Sequence, residues 1–86
     1  MNSRDDEIDE ARRVRELEGE AKYGPINPRV DSRCFLKEAR DELLDALNYA
    51  QWGKEKGELS LCDWVLIDRN IRFAIVLLDK ARPVIS

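Results

Sequence analysis

The sequence predicts an all-α protein: an antiparallel helical hairpin plus a third helix, assembled as a helical-bundle oligomer. Apolar residues recur at helical spacing through three stretches, and two segments rich in breakers, Gly24-Pro-Ile-Asn-Pro28 and Gly53 to Gly57, separate them. The oligomer follows from size. A chain of 86 residues lies where one core is only marginally sufficient, so association is expected to supply burial. The whole chain, 1–86, is read as a single helical domain.

The first helix is expected over 3–23. Ser3 suits an N-cap, and Asp5, Asp6 and Glu7 place carboxylates at the positive end of the helix dipole. Its apolar stripe is narrow, with Ile8 and Ala11 followed by Val14, Leu17 and Ala21, so it needs a partner. An antiparallel hairpin with the second helix is the expected solution. Pro25 and Pro28 then stop the helix, because proline disfavours helix in the residue before it and cannot extend one. The loop is expected to run to about Val30.

The second helix is expected over 32–53, capped by Asp31 or Ser32. At roughly 100° per residue, Phe35, Ala39, Leu43, Ala46 and Ala50, flanked by Leu36 and Leu47, form one stripe. Glu38, Glu42 and Asp45 line one border of that stripe, and Tyr49 continues it. Like charges one turn apart, such as Glu38 with Glu42 and Asp41 with Asp45, destabilise an isolated helix by a few tenths of a kcal/mol per pair. A compensating cation is expected. A divalent metal is one candidate, since Mg²⁺ favours carboxylates combined with waters and phosphates; arginines of another helix are the other.

The third helix is expected over 60–81, starting near Ser60 or Leu61 and stopped by Pro83. Its apolar arc covers more than half the circumference: Trp64, Ile67, Ile71, Ala74, Ile75 and Leu78, continuing through Phe73, Leu66 and Leu77. Val65 and Val76 project among Asp68, Arg69, Arg72 and Asp79. One intramolecular groove cannot cover that width, so a homo-oligomer through the third helix is expected. Asn70 sits inside the arc, where burial without hydrogen bonds would cost on the order of 1–3 kcal/mol. A polar partner from the acidic border is expected for it.

Composition narrows the function. Charged residues are 38% of the chain, yet the net charge is only −3, so no basic field exists to neutralise a nucleic-acid backbone. No apolar run is long enough to span a membrane, and the charged start, Met1-Asn-Ser-Arg-Asp-Asp-Glu, lacks a signal-peptide core, so a cytoplasmic protein is expected. Histidine is absent, which excludes histidine-dependent triads and histidine-zinc hydrolases. Cys34 and Cys62 are too few for a disulfide framework and are read as small hydrophobes. Trp52 and Trp64 are read as packing residues.

The run Glu42-Leu-Leu-Asp45, continued by Ala-Leu-Asn-Tyr49, resembles the second metal-binding helix of the all-α nucleotide pyrophosphohydrolases, the MazG-like and dimeric dUTPase superfamily. The segment Gly19-Glu-Ala-Lys-Tyr-Gly24, followed by a proline-containing loop and an acidic helix, looks like short phage-borne members. Together these cover roughly half the chain. In that family the pair works with a Glu-Glu-x-x-Glu motif on the preceding helix. Asp6-Glu-Ile-Asp-Glu10 is an acidic version of that motif, lying further upstream than the family usually has it.

The resemblance implies a Mg²⁺ (or Mn²⁺) cofactor and a nucleotide substrate. Glu42 and Asp45 would be metal ligands with Glu7 and Glu10, Glu18 being the substitute; Glu38 would take the water proton; Asn70 with Arg69 or Arg72 would hold phosphates. The products would be a nucleoside monophosphate and pyrophosphate. Two other readings compete. The acidic border can be a solvated face that pairs with arginines, and the chain can be a non-enzymatic interaction protein of the phage inhibitor or adaptor kind, binding a host protein through its third helix.

Overall fold

The computed structural model describes residues 3–81, and these form three α-helices: α1 (Ser3–Tyr23), α2 (Phe35–Lys56) and α3 (Leu61–Lys80). No strand occurs among the described residues. The chain divides into two compact units, and the division falls between Ser32 and Arg33.

In the first unit α1 is held by its own sequence. Arg4 pairs with Glu7 at 3.2 Å, Arg12 with Asp9 at 3.9 Å and Arg15 with Glu18 at 3.5 Å, all exposed and three residues apart. No residue of α1 is buried. The helix ends where Gly24 adopts φ +86°, its N–H donating to the Glu20 carbonyl at 2.8 Å. Asn27 then organises the loop. Its side-chain oxygen accepts from the Arg29 N–H at 3.2 Å, and its carbonyl accepts from Val30 and Asp31 at 3.2 and 3.0 Å.

In the second unit α2 starts at Phe35, later than the expected 32, because neither Asp31 nor Ser32 caps it. Cys34 is the N-cap, its extended backbone offering its carbonyl to the Glu38 N–H at 3.0 Å with no side-chain cap bond. Gly53 does not stop the helix. A Cβ there would stand 3.7 Å from Leu59 Cδ1, an ordinary van der Waals contact, so the helix continues through this position without needing glycine. The stop is Gly57, at φ +88°, whose N–H donates to the Lys54 carbonyl at 3.1 Å while Glu58 N–H donates to that of Gly53 at 2.8 Å. This is the paired bonding of a Schellman ending. The third helix starts at Leu61, within the expected Ser60 or Leu61, and Ser60 caps it, accepting from the Asp63 N–H at 3.1 Å.

The two helices pack on each other. Arg40 near the start of α2 pairs with Asp79 near the end of α3 at 2.7 Å, and Lys54 near the end of α2 lies 3.9 Å from the Trp64 ring centroid near the start of α3. That order is antiparallel. Among the less exposed positions a series with alternating spacings of three and four traces the seam, Arg40, Leu43, Leu47, Ala50 and Lys54 on α2 and Trp64, Asp68, Ile71, Ile75 and Leu78 on α3, with Ala46 and Ala74 half-buried beside it. Ala50 and Ile75, each 9% exposed, are the most covered apolar residues. The antiparallel hairpin that the structure shows is therefore α2 with α3, one helix later in the chain than the sequence reading puts it. Among the described residues no helix is long and apolar enough to cross a membrane.

Candidate acidic site on helix α2

The seam decides where the acidic border faces. Leu43, Leu47 and Ala50 are drawn toward α3, and at 100° per residue Glu38, Glu42 and Asp45 fall on the far side of α2. All three are exposed. None of their carboxylates makes an ion pair or hydrogen bond with another described residue. Asp41, the fourth acid of this stretch, is instead neutralised locally: Lys37 donates to it at 2.9 Å. That hydrogen bond, with the carboxylate charge behind it, carries the Lys37 ammonium above its ordinary pKa of 10.5.

One turn beyond Asp45 stands an aromatic pair. Tyr49 and Trp52 meet edge to face, with ring centroids 5.6 Å apart and planes at 89°, and both are exposed. Trp52 therefore finishes no core. Trp64 does pack, lying in the seam under the Lys54 ammonium, and its indole nitrogen is buried with no hydrogen-bond partner. Cys34 and Cys62, read as small hydrophobes, are free thiols exposed at the surface. Their positions, at an N-cap and on the first turn of α3, place them at the surface.

The remaining expected site residues are distributed as follows. Glu7 is engaged by Arg4 and Glu18 by Arg15, while Glu10 is exposed on the same helix. These belong to the first unit, and Glu38, Glu42 and Asp45 to the second. Arg72 pairs with Asp68 of its own helix at 2.7 Å, which raises the guanidinium pKa, and Arg69 is exposed. Asn70 departs from expectation. It finds its polar partner within α3, donating to the Leu66 carbonyl at 2.7 Å, rather than on the acidic border. Among the described residues no three carboxylate or thiol groups are gathered as a metal would require.

Two contacts escaped the sequence reading, Arg40 with Asp79 and Lys54 over Trp64. Their signal was available in the seam spacing, which places Arg40 and Lys54 in step with Leu43, Leu47 and Ala50. No protein-family model, curated protein or solved structure matches this chain.

Proposed function

We propose that this protein is a Mg²⁺- or Mn²⁺-dependent nucleotide pyrophosphohydrolase of the MazG-like kind, acting on (deoxy)nucleoside triphosphates. The observation that carries the reading is the row of Glu38, Glu42 and Asp45, exposed and free of ion pairs within the described residues, on the α2 face away from α3. Glu42 and Asp45 supply hard oxygen donors three residues apart, a donor chemistry that fits Mg²⁺ retaining several waters. When bound, the cation neutralises phosphate charge and polarises a water.

The chain's own residues supply the rest. Glu38, one turn before Glu42, accepts the proton of the attacking water. Arg69 and Arg72 belong to α3, from which this row faces away, so within one chain they do not meet a phosphate held there. The exposed Tyr49 and Trp52 rings offer a surface on which a base can lie.

Thermal unfolding with EDTA, Mg²⁺ or Mn²⁺, with and without deoxynucleotides, tests the proposal. A ligand at a hundredfold excess over its Kd stabilises the native state by about 2.7 kcal/mol, a shift of several degrees for a small domain. The expected shift requires metal and disappears in Glu42→Gln. Absence of any shift, together with no hydrolysis of any common nucleoside triphosphate, refutes it. A second reading, the phage-type inhibitor or adaptor, is favoured by the exposed apolar residues of α3. Capture of a defined host protein in EDTA, with no hydrolysis, would decide for it.

A further inference from the structure

The α2 seam uses only one side of α3. On the other side Leu66, Phe73 and Leu77 stand 60%, 63% and 53% exposed, and Asn70 completes a row whose spacing runs four, three, four. This is the spacing of a helix-pairing seam. It is flanked by Ile67 and Ala74 on one side and Arg69 and Val76 on the other, so most of its border is apolar too. Continued by one step each way, the row ends at Asp63 and at Lys80, both exposed. An acid closes one end and a base the other.

We infer that this stripe pairs α3 with α3 of a second copy of the chain, antiparallel about a twofold axis near Ile71 and Arg72. The charges select that arrangement. Turned end for end, Asp63 meets Lys80 of the second copy at both ends of the interface, and Leu66 meets its Leu77. Set parallel, the same stripe brings Asp63 onto Asp63 and Lys80 onto Lys80. The opposed charges thus specify one orientation of one partner, and that partner has the same sequence. Asn70 enters the interface with its amide donor already satisfied by the Leu66 carbonyl, so an otherwise apolar seam tolerates it. Facing Phe73 of the second copy, it penalises registers that would bury it elsewhere.

Sedimentation velocity of the full chain in EDTA, across a concentration series, tests the pairing independently of any metal or nucleotide. The expected particle has twice the 10.0 kDa mass of the chain. Phe73→Lys is expected to sediment as a monomer whose far-ultraviolet circular dichroism remains helical. Asp63→Lys and Lys80→Asp are each expected to weaken the dimer about tenfold, because each turns both end pairs into like charges, and the double variant is expected to recover. A monomer at every concentration overturns the inference, as does a dimer indifferent to Phe73→Lys. A double variant weaker than both single ones overturns the antiparallel arrangement. Should Phe73→Lys fail to fold, the wild-type Tm decides: a rise with protein concentration supports the pairing, and a constant value refutes it.

Discussion

Helices α1 and α3 have nearly the same length, 21 and 20 residues, but different forces hold them. In α1 the ion pairs Arg4–Glu7, Arg12–Asp9 and Arg15–Glu18 each span three residues and lie in water, and no residue is buried. Each such pair contributes only about 0.2–0.5 kcal/mol. In α3 the stabilising contacts reach across to α2, through Ile75 in the seam, Trp64 under Lys54 and Asp79 on Arg40. Helical periodicity announces both helices equally well. Only the breadth of the apolar arc separates a helix kept by its neighbours in sequence from one kept by its neighbours in space.

The contrast is most exposed to truncation. Ile75→Ala is expected to cost about 2–3 kcal/mol in chemical denaturation, since it opens the most covered point of the seam. Leu17→Ala in α1, removing a side chain that is 55% exposed, is expected to stay within about 0.5 kcal/mol. Equal costs would erase the distinction. Gly57→Ala comes next. Nothing lies within 4 Å of the added Cβ, so the expected loss of about 1 kcal/mol is purely that of holding alanine at φ +88°, and it is read from the Tm.

Smaller effects sharpen the comparison at its edges. Arg40→Ala is expected to cost no more than about 1 kcal/mol, and less in high salt, because both partners of the Asp79 pair are nearly half exposed. The smallest is a titration. Lys37 has its pKa raised by Asp41, so its contribution is fully present below the unfolded-state value of 10.5 and is lost as pH rises through the higher folded-state value. Nuclear magnetic resonance of the Lys37 side chain should show that upward displacement in the wild type and a smaller one in Asp41→Asn, where Asp41 no longer bears charge.

The helices and most of their ends were legible from local chemistry. Ser60 as a cap and the proline-rich break after Tyr23 need nothing beyond their own neighbours in sequence. The end of α2 was harder. Gly53 and Gly57 look alike in a sequence, and what separates them is that Gly57 adopts a left-handed backbone while Gly53 stays within the helix. The rotation of α2 was also hidden. Its broad apolar stripe includes the exposed Phe35 and Ala39 as readily as Leu43, Ala46 and Leu47, and the choice of seam depends on Arg40, Lys54 and Trp64, residues that hydropathy alone does not assign to an interface. The acidic row was legible as a row, and its exposure follows from that rotation. Asn70 was legible as a polar residue needing a partner, but a side chain can satisfy itself on its own helix, and the sequence carries no mark of that choice.

The connection between α2 and α3 is only residues 57–60. Closing so short a span costs little chain entropy, and the contacts nearest it, the Glu58 N–H on the Gly53 carbonyl and Lys54 over Trp64, join residues close in sequence. Such a unit belongs to the fast-folding class, in which local contacts assemble in microseconds to milliseconds. The order of assembly is directional. Pairing would begin beside Gly57 and zip outward, so that Arg40 and Asp79, 39 positions apart in the chain, clasp last and fray first.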